Sequence, residues 1–200
     1  MQRRTALVLA LAVIGTLGVV GNSYGGKFNP GIKVGDKGPS WIDLIGTDDK
    51  RHGLDEYKED KLVVVIFLTN SCPVSRAYED RILSFARDYQ EQGVQVVGIN
   101  VNNLPDDRLD KMKIRAEEKG FNFPYLYDPS QKIARAYRAR VTPHVYVLDN
   151  KRTIAYMGAI DDNARKPKRH YLRDAVDSLL AGEKPDRPET LQRGCSILYE

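Results

Sequence analysis

Two cysteines carry the most distinctive chemistry available to this 200-residue chain. Cys72 stands in "FLTNSCPVSRAYEDRI", after an apolar run and directly before Pro73. Cys195 lies in the C-terminal "GCSILYE". A thiol at a helix start meets unpaired backbone N–H groups and the positive end of the helix dipole. Both stabilise a thiolate, and such cysteines reach pKa values of about 3.5–7.5. Pro73 suits the first helical position, where a missing N–H costs nothing. In a helix interior a free cysteine reads as a small buried apolar residue. At a strand-to-helix switch it reads as a reactive thiol. Two frames fit it. Forward, "CPVS" is C-x-x-C with Ser75 in the second position; backward, "TNSC" places Thr69 three residues before the thiol. Two cysteines permit one intramolecular pairing, which is either a reversible redox couple or a permanent staple.

Other chemistries find less support. His52, His144 and His170 are far apart, and no H-x-x-x-H or C-x-x-C spacing suggests a metal site. No glycine-rich phosphate loop or nucleophile elbow is present, so no cofactor is expected. The formal net charge of +4 includes Arg3 and Arg4, and little remains without them, which gives no argument for nucleic-acid binding. The basic run "ARKPKRHYLR" reads as a solvated face.

The elements that position Cys72 are legible in the pattern. "KLVVVIFLT" is a β-branched run of the kind buried on both faces of a sheet. Tyr78, Ile82, Phe85 and Tyr89 then recur at helical spacing, which predicts a helix over residues 73–92 ended by Gly93. "VQVVGINV" predicts a second buried strand. The following "NVNNLPDD" belongs at the same sheet end as Cys72, where it either shapes a pocket or caps a helix. "LPDDRLDKMKIRAEEKG" predicts a helix ended by Gly120. "FPYLYD" is a short extended piece, and "SQKIARAYR" a helix capped by Ser130. "HVYVLD" and "RTIAYMG", joined by "NK", predict a hairpin, and "HYLRDAVDSLLAG" a last amphipathic helix. Upstream, "WIDLIGTDDKRHGLDEY" suggests a short hairpin. This alternation predicts an α/β domain with a central mixed sheet flanked by helices.

At the N-terminus, Arg3 and Arg4 precede the apolar stretch "ALVLALAVIGTLGVV" and a series of small residues. That is the pattern of a cleaved secretory signal, with an uncleaved membrane anchor as the alternative. Export would place the thiols where disulfides persist. The expected organisation is a signal peptide over residues 1–25, a linker over 26–40, one domain over 41–182 and a tail over 183–200.

"VGDKGPSW", "TNSCP", "VTPHVYVLD", "MGAIDDN", "HYLRDAVDSLLAG" and "GCSI" occur in that order. Together they resemble the redoxin branch between thioredoxins and peroxiredoxins, the alkyl-hydroperoxide-reductase/thiol-specific-antioxidant superfamily, and within it a peroxiredoxin-like subgroup of exported bacterial proteins. The resemblance implies a thioredoxin-like fold with an N-terminal extension and a C-terminal tail. It implies an exported, cofactor-free thiol oxidoreductase that reduces small peroxides. Its substrate would be a peroxide or a protein disulfide, with an external thiol as reductant. Cys72 would be the attacking thiol, and Cys195, on a mobile tail, the resolving one. Thr69 would hydrogen-bond the thiolate or the peroxide. Pro143 would be cis against Cys72 and leave the Thr142 backbone free for a substrate chain, with Pro73 and Arg140 completing the binding surface. The sequence departs from the pattern at Val65, where peroxiredoxins carry a proline, and at Ser75, where thioredoxins carry a second cysteine. Two further readings stay open: a binding or scaffold protein with a structural Cys72–Cys195 disulfide, and a one-cysteine disulfide exchanger.

Overall fold

A computed structural model describes residues 25–200. The expected leader lies, apart from Gly25, outside the described residues. Seven strands form one mixed sheet in the order β2-β1-β5-β4-β3-β7-β8. Its centre is β3 (Leu62–Leu68), parallel to β4 (Val94–Asn100), which is parallel to β5 (Tyr125–Tyr127). On the other side β7 (His144–Leu148) and β8 (Ile154–Gly158) form the expected antiparallel hairpin. The far edge is a hairpin of β1 (Leu44–Gly46) and β2 (Arg51–His52).

The continuous apolar run of β3 is explained by burial on both faces. Leu62, Val64, Ile66 and Leu68 pack into one core, and Val63, Val65 and Phe67 into the other. The first core is closed by α1 (Pro73–Gln90), α2 (Leu109–Lys119) and α4 (Tyr171–Leu180), through Tyr78, Ile82, Phe85, Met112, Leu172 and Val176. The second lies under Trp41, Leu54, α3 (Lys132–Ala136) with Tyr137, and Ile197 of the tail. Parallel strands need crossovers, and α1 and α2 supply them. Among the described residues no helix is long and apolar enough to cross a membrane.

Three local expectations need correction. Residues 26–40 are not a free linker. Asn29 and Ile32 are buried, Gly35 and Gly38 donate to the backbone of Ile154 and Arg152, and the Glu189 carboxylate accepts from the N–H groups of Lys27, Phe28 and Asn29. The predicted helix over "LPDDRLDKMKIRAEEKG" divides into a 3-10 turn, Pro105–Asp107, and α2. The break lies at Arg108, whose backbone is extended (φ −73°, ψ 158°), next to Asp107, whose carboxylate is engaged with Ser71. Finally, Ser130 does not cap α3 alone: its Oγ accepts the Lys132 N–H at 3.4 Å and donates to Asp128 Oδ1, and Asp128 Oδ2 accepts the Ile133 N–H at 2.8 Å.

Candidate active site

The C-terminal ends of β3 and β4 and the N-terminus of α1 converge on Cys72. Cys72 is the N-cap of α1 and Pro73 its first residue. The thiol is 2% exposed. The Ser75 N–H donates to its sulfur at 3.3 Å, as a capping oxygen would receive it. The thiol itself donates to the Thr142 carbonyl at 3.1 Å. The Thr142–Pro143 peptide bond is cis.

The loop before Cys72 is braced from β4 and the turn after it. Asp107, fully buried, accepts from Ser71 N–H at 2.9 Å and from Ser71 Oγ–H at 2.6 Å. Asn100 donates to the Asp107 carbonyl, and Asn70 donates to that of Asp106. Tyr125 in turn donates to Asn70 Oδ1 at 3.1 Å. "NVNNLPDD" is thus the brace of the thiol loop. Sequence reasoning placed it at the correct end of the sheet but missed Asp107, whose burial no local pattern announces.

The tail completes the site. Cys195 and Ser196 form a short strand, β9, antiparallel to β6 (Val141–Thr142), with Thr142 opposite Cys195. This brings Cys195 beside Cys72, near enough for each thiol to shift the ionisation of the other, and both cysteines are free. The tail is held beyond Cys195 as well. Ile197 N–H donates to the Arg140 carbonyl, and Leu198 N–H to Asn102 Oδ1. Gln131 donates to the Leu198 carbonyl at 2.7 Å and accepts the Glu200 N–H at 2.8 Å. Ile197 is buried, and Arg135 stacks over the Tyr199 ring.

The two thiols differ electrostatically. Burial pushes the Cys72 thiol up. Hydrogen bonds from the Cys195 thiol, the Ser75 N–H and the Thr142 side chain outweigh that and leave it below its ordinary value. Burial pushes Cys195 up, and its role as donor to Cys72 raises it further, against a smaller opposing contribution from the Val74 N–H. The first turn of α1 therefore addresses both sulfurs, and Cys72 is the one that ionises first.

Residues 34–157 match the AhpC/TSA family. The chain belongs to that family. Membership places it among thiol-based oxidoreductases, and the fold is thioredoxin-like. A hypothetical protein from Sinorhizobium meliloti 1021 is 31% identical, with a TM-score of 0.80 over 86% of this chain and 97% of that one. An uncharacterised conserved protein from Geobacillus kaustophilus is 33% identical, with a TM-score of 0.78 over 84% and 92%. The peroxidoxin BcpB from Mycobacterium tuberculosis shares the fold at 19% identity, with a TM-score of 0.56 over 74% and 94%. No curated protein matches the chain.

Set beside the AhpC/TSA resemblance, the structure moves several roles. Thr69 is buried at the end of β3, but its hydroxyl pairs with Thr142 Oγ1 at 3.1 Å and reaches the sulfur only through it. Thr142 was expected to offer a free backbone. Its backbone is instead paired with Cys195, and its carbonyl also accepts the Cys72 thiol. Arg140 is exposed and contributes its backbone carbonyl to Ile197, not a guanidinium to the thiol. The expected mobile tail is docked. The Ser75 hydroxyl, read only as a replacement for cysteine, is buried without a hydrogen-bond partner among the described residues, in the turn whose N–H donates to Cys72.

Proposed function

We propose that this protein is an exported thiol peroxidase that cycles between a dithiol and a Cys72–Cys195 disulfide. One observation carries the reading: the tail strand sets the Cys195 thiol against a Cys72 whose ionisation is favoured at the start of α1. The Cys72 thiolate attacks one peroxide oxygen, the O–O bond breaks, and the leaving oxygen takes a proton as water or alcohol. Cys72 becomes a sulfenic acid. The Cys195 sulfur then attacks the Cys72 sulfur, the S–O bond breaks, water leaves, and the disulfide forms. Two external thiols, which leave joined as a disulfide, restore both groups. Small oxidants suit the site because Cys72 is buried and the Thr142 edge, where a protein substrate would pair, is occupied by the chain's own tail. Thr142, supported by Thr69, and the Ser75 hydroxyl are placed to orient the reacting sulfur and oxygen. The leader-like N-terminal sequence supports work in an oxidising compartment outside the cytosol.

The test is the rate of Cys72 sulfenylation by hydrogen peroxide in a Cys195→Ser variant, with mass spectrometry of the oxidised wild type. Fast sulfenylation and a Cys72–Cys195 bond are expected. Sulfenylation no faster than that of an unstructured cysteine peptide would end the peroxidase reading. Disulfide formation whose reversal unfolds the domain would make the pair a staple.

A further inference from the structure

A cleft of about 420 Å³ opens beside the thiol pair. Val74, Pro143 and Gly194 form the end nearest the sulfurs, and Tyr78, Tyr171 and Leu191 its apolar walls. Leu191 is 50% exposed, a large apolar group left to solvent. Four charged residues also line it, but they are not equivalent. Asp161 is buried and engaged by Arg81 and by His170. Asp162 accepts the backbone N–H groups of Lys168 and Arg169 at 2.9 and 3.2 Å. Asp161 is therefore satisfied by α1 and His170, and Asp162 by its own loop. Arg165 and Arg193 are exposed, with no carboxylate partner among the described residues, and the exposed Lys166, Lys168 and Arg169 follow Arg165 in sequence. The cleft is apolar inside and basic at its mouth.

Neither sulfur lines the cleft, and the two differ in exposure. Cys72 is 2% exposed, while Cys195 is only half-buried and follows Gly194, a wall of the cleft. An incoming thiol meets Cys195 first. We propose that this cleft receives the extended, acid-flanked cysteine segment of a dithiol protein reductant, and that the mixed disulfide forms on Cys195 rather than on Cys72. The inference rests on the disulfide cycle proposed above and adds the surface, the charge of the partner and the sulfur attacked.

The exchange balances as follows. The reductant thiolate attacks Cys195 Sγ, a new S–S bond forms, and the Cys72–Cys195 bond breaks with its electron pair leaving on Cys72. Cys72 is the better leaving group, because a thiol of lower pKa departs faster, and the Ser75 N–H is already aimed at its sulfur. The reductant's second thiolate then attacks its own sulfur in the mixed disulfide. Cys195 leaves, takes a proton, and the reductant departs as a disulfide. The cleft's charge supplies the encounter: complementary charges raise association rates and reject partners of like sign.

The test uses the full chain oxidised to its disulfide and two synthetic single-cysteine peptides, one flanked by leucine and glutamate, the other by leucine and lysine. A monothiol peptide stops at the mixed disulfide, which rapid alkylation with iodoacetamide traps for mass spectrometry. The peptide is expected on Cys195 with Cys72 alkylated, and the glutamate peptide should react severalfold faster at low salt. An R165E/R193E double variant should reverse that preference. Peptide mapped to Cys72 at the earliest times, or a preference unmoved by charge reversal, overturns the inference while leaving the peroxidase reading intact. Oxidised protein without a Cys72–Cys195 bond removes both.

Discussion

The reactivity proposed for Cys72 rests on a few donors, and they can be removed one at a time. Cys195→Ala deletes a donor to the Cys72 sulfur, whereas Cys195→Ser keeps a hydroxyl there. Titration of thiolate absorbance should place Cys72 higher in the alanine variant than in the serine one. In Cys195→Ser, sulfenylation should rise with pH and level off below the ordinary thiol value of about 8.5, since only the thiolate attacks. A second residue-scale expectation concerns the threonine pair. Thr142→Val should slow Cys72 oxidation more than Thr69→Val, because the Thr142 side chain favours ionisation of Cys72 and Thr69 acts through it. Equal effects would show that the pair works as one unit.

At the scale of elements, β9 matters most, and it is secured by a close approach. A Cβ on Gly194 would lie 2.1 Å from the Thr142 carbonyl oxygen, in the backbone and so unable to yield. Gly194→Ala should push β9 off β6 and slow disulfide formation about a hundredfold, the scale expected when a reacting group is displaced by about an ångström. Stopped-flow measurement of the step after sulfenylation reads this directly. Ile197→Asp should release the same strand by removing a buried anchor worth roughly 1.5–3 kcal/mol. Bulky aromatic disulfides should then reach Cys72 faster than in the wild type. On β7, His144 is fully buried beside Pro143, and burial, with the charge of Arg140, lowers its pKa to about 3. The unfolded chain binds a proton there near pH 6.5 and the folded one does not. The sign follows: this contribution to stability is complete above pH 6.5 and is lost as pH falls towards 3. His144→Phe should therefore flatten the acid limb, which urea unfolding at pH 7 and pH 4.5 would show.

For the whole molecule, the question is whether the disulfide carries the fold. The sheet has a core on each face, and β3 alone supplies both. A domain of this size does not need a covalent staple. Reduced protein should keep its near-ultraviolet circular dichroism and unfold cooperatively. The oxidised form should melt higher, since closing a loop of about a hundred residues is worth up to ~4.7 kcal/mol in the chain-entropy account. Loss of the near-ultraviolet signal on reduction would contradict this.

The sequence by itself determined the main strands and helices and the cysteine at the helix start, because those depend on short-range physics. Alternation, helical spacing and a proline after Cys72 act within a few residues, and β3, α1 and the N-cap appear where they were expected. Only the tertiary structure decided what surrounds the thiol. Whether Asp107 turns inward to Ser71, whether Thr142 pairs with a substrate or with Cys195, and whether the tail moves all depend on long-range partners. Such contacts form only when the packed sheet excludes water and leaves each buried polar group to find a partner. No window of local sequence contains that requirement.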